Sequence, residues 1–187
     1  MLQSGVANLS VRSICIEAGI NLGMFYYYFK TKEKFIKVIF ESFNEDLHYN
    51  WKKESQGISD PIEKLKKALF LSAYLIKEKK GIIENIFKDF DFTNKTYMQF
   101  LREMHDRWRL FYVTLIEDCK KDSSLGKGME NDQIIAILIG SVKYYSTSCE
   151  MQRCENYYEE VGAFIDCVIE KLKYKKDGSK EAEKLES

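Results

Sequence analysis

A single proline, Pro61, interrupts a chain of 187 residues that holds only ten glycines. A sandwich of short strands needs a turn every ~8–12 residues, and turns draw heavily on these two residue types, whereas long helices avoid them. The chain is therefore expected to be all-α. Apolar residues make up 45% of it, enough for one ordinary core or two small lobes and too much for a disordered chain. Basic and acidic side chains number 29 each, so neither a polybasic coat nor an acidic tail protein is indicated, and any argument from charge has to be regional.

Apolar spacing divides the chain into helices. Val11, Ile14, Cys15 and Ala18 mark one face of a short helix that Ser10 can cap and Gly19 can end. Asn21 can cap a second, with Leu22, Phe25 and Phe29 inward, and Thr31 a third that carries Phe35, Ile36, Ile39, Phe40 and Phe43 and runs to about Lys53. Pro61 opens the next helix, lined by Ile62, Leu65, Leu69, Ser72 and Ile76, and the charged run 77–81 closes it. A helix over 82–92 follows. Tyr97, Leu101, Met104, Trp108, Phe111 and Leu115 form the longest regular stripe, and a mostly polar loop is expected over 120–133. IIAILIG (134–140) is apolar on every side, which predicts cover from the chain's own core and from a partner. CEMQRC (149–154) reads as a loop, and Val161, Phe164, Ile165, Val168 and Leu172 stripe a last helix. The tail 177–187 has too little apolar content to pack.

Charge and aromatic content then single out the N-terminal part. Residues 1–40 carry Arg12, Lys30, Lys32, Lys34 and Lys37 against Glu17 and Glu33, a net +3 balanced by −3 in the remainder. Such a basic head suits an anionic partner, nucleic acid above all. Within it Tyr26, Tyr27 and Tyr28 stand consecutively on a short helix, and neighbours on a helix point about 100° apart, so at least two face solvent. Their hydroxyls can donate to phosphates and their rings can lie against sugars or thymine methyls.

The segment SVRSICIEAGINLGMFYYYFKTKEKFI (10–36) resembles the helix-turn-helix of TetR-type transcriptional repressors in its helix lengths, its Ala-Gly turn, its aromatic cluster and its Lys-x-Lys-Glu helix start. The resemblance implies a DNA-binding head over 1–43, a larger helical body over 44–176 that binds an effector and dimerises, and a disordered tail over 177–187. It places Ser10 as a cap touching phosphate, Arg12 on a base edge or phosphate, and Gly23, Met24, Tyr26, Tyr27 and Tyr28 on the recognition helix. Lys32 falls on phosphate. Met24 and Leu22 stand where the family often has hydroxyl, polar or basic side chains, which reduces hydrogen-bonded readout. A further family helix precedes this pair, and MLQSGVANLS resembles only its last turn; a shortened start, a misassigned start codon or a natural loss would each account for that. A helical dimer that binds a ligand or partner but no DNA is the alternative reading.

Beyond the head, the aromatic supply favours an apolar cavity for a small hydrophobic or aromatic effector, with Phe70, Tyr74, Phe87, Met104, Trp108, Phe111, Tyr112, Tyr144 and Tyr145 as candidate lining residues and tyrosine hydroxyls as orienting donors. Leu138, Val142, Val161, Phe164 and Val168 are the candidate dimer contacts. Five cysteines without a CxxC pair read as reduced thiols, with Cys149, Cys154 and Cys167 the ones a redox sensor would use. His48 and His105 lack a second histidine at metal-ligand spacing, so no metal or cofactor is expected. The absence of a nucleophile–base pair, phosphate loop or paired carboxylates argues against an enzyme. No signal peptide or apolar run of about 20 residues is present, so a cytoplasmic protein without a membrane segment is expected, whose partners are double-stranded operator DNA, an effector and a second copy.

Overall fold

The computed structural model describes residues 10–88, 93–122 and 125–173, and for Phe87, Lys88 and Asp122 only the backbone. The expectations for a lost first helix and for the tail 177–187 lie outside the described residues. Within them the chain is all-α, with eight helices and no strand: α1 (Val11–Ala18), α2 (Leu22–Phe29), α3 (Lys32–Glu54), α4 (Pro61–Glu78), α5 (Lys80–Lys88), α6 (Lys95–Asp122), α7 (Asn131–Met151) and α8 (Tyr157–Leu172). None of these helices is long and apolar enough to cross a membrane.

Helix starts follow local chemistry. Ser10, Asn21, Thr31 and Asp60 each accept a backbone N–H of the first turn on a side-chain oxygen, and Pro61 sits at the first turn of α4, where its missing N–H costs nothing. The α1–α2 turn depends on Gly19 at φ 66°, which lets the Ile20 amide reach back to the Cys15 carbonyl at 2.9 Å.

Helix α4 is the central strut because it is apolar on two sides. Leu65, Ala68, Leu69 and Ala73 join residues of α6, α7 and α8, among them Ile116, Ile134, Leu138, Ile165 and Ile169, in one core cluster. Leu71 and Leu75 join a second cluster with Ile36, Phe40 and Leu47 of α3, Ile86 of α5, and Tyr97 and Phe100 of α6. This second cluster ties the head to the body, since α3 begins beneath α2 and continues without a break to Glu54.

Several local expectations are corrected. Leu22 is 41% exposed rather than inward, because Phe25 and Phe29 of α2 close against Phe35 at ring separations of 5.2 and 4.9 Å and leave it nothing to cover. The charged run 77–81 breaks the helix only at Lys79, and α5 starts at Lys80. The expected polar loop 120–133 is shorter and partly interior. Leu125 is buried and the Gly126 amide donates to the Leu172 carbonyl at 2.9 Å. A Cβ on Gly126 would stand 2.3 Å from Ile134 Cδ1, so this tight tuck requires glycine. CEMQRC lies in α7 through Met151 and turns only afterwards, at Arg153 with φ 54°.

Candidate functional site

The head exposes its candidate functional side chains by packing their neighbours. Phe25 is wholly buried and touches Phe29 and Phe35, with Cys15 and Ile36 buried alongside. With that register fixed, α2 turns the rest of its residues outward: Met24 is 46% exposed, Tyr26 47%, Tyr27 71% and Tyr28 68%. Arg12 and Gly23 are also exposed and Lys32 is half-buried. The Ser10 hydroxyl accepts the Ser13 amide at 3.0 Å, so its cap role is occupied by the helix itself. Lys30, held at φ 63°, places its ammonium 5.3 Å from the Tyr27 ring centroid, a cation beside the exposed aromatic row.

Of the five basic head residues, Lys37 is committed to the body. Its ammonium lies 3.4 Å from Glu103 Oε2 and 3.9 Å from Glu41 Oε1. Two more contacts join α3 to α6: the Tyr97 hydroxyl donates to Glu33 at 3.4 Å, and Arg107 approaches Glu41 at 3.8 Å. The Glu33 carboxyl is held below the usual carboxylate range by the backbone amide at the α3 start, then by Thr31, Tyr97 and Lys32.

The body contains a cavity of about 750 Å³ walled by five helices. Phe40 and Phe43 come from α3, Leu75 and Ile76 from α4, and Ile83 from α5. Met104, Trp108 and Tyr112 line it from α6, and Ile135, Ala136, Ile139 and Gly140 from α7. Polar groups are few: His105, Arg109, Asp132 and Lys143. Arg109 grips Asp132 with both ends of its fork, Nε to Oδ1 at 2.6 Å and Nη2 to Oδ2 at 2.9 Å, and the guanidinium lowers the carboxyl's pKa. The Tyr112 ring faces the cavity, but its hydroxyl is engaged in the core, 2.6 Å from Ser72 Oγ and 3.3 Å from the Ala68 carbonyl, and burial pushes the phenol pKa up.

Thus Met104, Trp108 and Tyr112 meet at one cavity, and the other candidate lining residues lie elsewhere. Phe111 packs on Trp51 and His48 at 5.2 and 4.6 Å, Phe70 and Tyr74 pack on Tyr158, and Tyr145 stacks flat on Phe164 at 4.1 Å while donating to Glu160. Tyr144 is 78% exposed, and the Phe87 side chain lies outside the described residues. Among the candidate dimer contacts, Leu138, Val142 and Val161 are buried inside this chain's own core, where no partner can touch them; Phe164 and Val168 are half-exposed. Cys149 and Cys154 flank the end of α7, with the Cys154 amide donating to the Cys149 carbonyl at 3.0 Å, and Cys167 is exposed on α8.

Sequence reasoning missed the α7 wall of the cavity. Its signal was the row Ile135, Ala136, Ile139, Gly140, spaced to share one helical face and unusually small in the middle.

A family model for bacterial regulatory proteins of the tetR family matches residues 1–39. The match covers the N-terminal head alone. No curated protein matches the sequence. Among solved structures, FadR, a fatty acid degradation regulator from Bacillus halodurans, superposes with a TM-score of 0.71 at 17% identity, covering 91% of this chain and 87% of that one. A chain from Syntrophomonas wolfei assigned to the TetR-family transcriptional regulators gives 0.66 at 20% identity, covering 90% and 88%. The ketosteroid transcriptional regulator KstR2 of Mycobacterium tuberculosis gives 0.64 at 13%, covering 93% and 89%. At these identities the likeness is one of fold.

Proposed function

We propose that the chain is a DNA-binding transcriptional regulator, a repressor that a small apolar effector releases from its operator. The observation that carries this reading is the pairing of an outward tyrosine row in a net-positive head with a large, mostly apolar cavity in the body, joined by one continuous helix, α3. Arg12 and the tyrosines serve base edges and sugar–phosphate, and Ser10, Gly23, Met24 and Lys32 flank them. Two of the structural neighbours bear names tied to fatty acid degradation and to ketosteroids, both apolar chemistries, which supports an apolar effector.

The coupling route runs through α6. Its Met104 and Trp108 face the cavity, while Tyr97, Glu103 and Arg107 hold α3 at Glu33, Lys37 and Glu41. An effector that shifts α6 therefore pulls on the helix that carries the head. The chain acts as a homodimer through the outward faces of α7 and α8, where Ile137, Tyr144, Phe164 and Val168 are at least partly exposed. The two recognition helices then stand about 34–36 Å apart in successive major grooves, and a coupling of only about 1–3 kcal/mol suffices for release.

Fluorescence anisotropy on the promoter of the protein's own gene, against random duplex, tests the reading. Preference for the promoter, with affinity falling steeply as salt rises, is expected. Equal affinity for both duplexes overturns it and leaves a helical dimer that binds ligand or partner without DNA.

A further inference from the structure

Resting on the reading of the body cavity as the effector site, we infer that its ligand is an elongated amphiphile with one anionic head, the head bound by Lys143 and the apolar chain laid along α7 towards the Arg109–Asp132 pair. The α7 wall is a single stripe, Asp132, Ile135, Ala136, Ile139, Gly140 and Lys143, at spacings of three and four that keep it on one face. At 1.5 Å per residue it is about 16 Å from end to end, so the polar groups of the stripe stand at its two ends and everything between them is apolar or small.

The two ends differ in charge. Arg109 is neutralised by a two-point contact with Asp132, which leaves that end without a free cation or a free carboxylate. Lys143 has no ion pair among the described residues, and none is available within α7, because Ile139, Gly140, Ser146 and Thr147 occupy the positions a turn away. An ammonium at the rim of an apolar cavity favours a ligand that brings one negative charge to it and buries a hydrocarbon body behind it. The stripe is open to receive that body about one turn before Lys143: a Cβ built on Gly140 meets nothing within 4 Å.

Isothermal titration of the full chain with dodecanoate, dodecanol and dodecylamine, each below its micelle-forming concentration, tests this. We expect dodecanoate to bind about tenfold tighter than dodecanol and dodecylamine to bind more weakly than either, a tenfold ratio being about 1.4 kcal/mol. Lys143→Met, a change to another good helix former, should bring acid and alcohol to the same affinity by weakening the acid alone. Gly140→Leu should weaken both, since its side chain occupies the path of the tail. If the alcohol matches the acid in the unaltered protein, or if Lys143→Met keeps the acid's advantage, the anionic head is wrong while the cavity survives as an apolar site. If none of the three ligands binds, the effector reading falls and this inference with it.

Discussion

The head and the body each carry a candidate site, and they are built in opposite ways. The head's site is written within residues 10–36, its parts fixed by neighbours close in sequence: a serine or asparagine caps the helix start, a glycine turns the chain, and Phe25 and Phe29 go in against Phe35 so that the tyrosines go out. The body's site draws on residues from Phe40 to Lys143 and exists because five helices fail to fill the space between them. A surface made by packing its neighbours is dictated locally. A cavity is a property of the whole assembly, and no single helix encodes it.

The sharpest way to separate the two regions is to remove the head's keystone. Phe25 is the wholly buried side chain through which α2 packs on the start of α3, and truncating a buried phenylalanine typically costs about 3–5 kcal/mol. Phe25→Ala should melt the head and abolish DNA binding, while the body retains its cooperative unfolding and its ligand affinity. Hydrogen exchange resolved by segment would show protection lost over α1 and α2 only. Loss of protection across α4, α7 and α8 as well would mean that head and body fold as one unit.

The link between the regions is the next target. Lys37 is a head residue whose charge is spread over Glu41 and Glu103, an exposed arrangement that by itself adds little to stability. Its value should lie in coupling. Lys37→Met is expected to leave both DNA affinity without effector and effector affinity without DNA within about twofold, yet to remove much of the ~1–3 kcal/mol by which one ligand alters the other. Anisotropy titrations with and without effector give that quantity directly, and an unchanged coupling would move the route away from the α3–α6 contacts.

The same contrast explains what could be read from the sequence. Ser10, Asn21 and Thr31 are cap residues by chemistry and act as caps in the structure, and the all-α class followed from one proline. In the body the stripe from Tyr97 to Leu115 marks a helix correctly, but a stripe records that a face is apolar and not what lies opposite it. Met104 and Trp108 face empty space, whereas Phe111 on the same stripe meets Trp51 and His48. Likewise IIAILIG resolves into a core side with Ile134 and Leu138, a cavity side with Ile135 and Ile139, and an outward Ile137, a division that only the surrounding helices define.

Within the body, Tyr112 separates wall from core. Its ring lines the cavity and its hydroxyl lies 2.6 Å from Ser72, whose own hydroxyl also donates to the Ala68 carbonyl at 2.9 Å. Tyr112→Phe keeps the wall and removes one buried hydrogen bond while leaving Ser72 satisfied, so a loss of about 0.5–1.5 kcal/mol in urea unfolding is expected, with effector affinity unchanged. A change in affinity instead would show that the phenol reaches the ligand.

The smallest effect should fall on Gly140, and its sign is informative. Glycine inside a helix is about 0.5–1 kcal/mol less favourable than alanine, because it gives up more backbone freedom on folding. At most packed positions a new methyl group would offset that gain by crowding its surroundings, but at Gly140 the added Cβ has open space. Gly140→Ala should therefore stabilise the ligand-free chain by up to about 1 kcal/mol and narrow the cavity by one methyl group, weakening the binding of a bulky ligand more than that of a slender one. Urea unfolding of the ligand-free protein reads the first effect and titration with ligands of different girth the second. Destabilisation of the free chain would mean that the α7 face at Gly140 is already covered in solution, for example by a second copy of the chain, and the boundary between cavity and interface would have to be redrawn there.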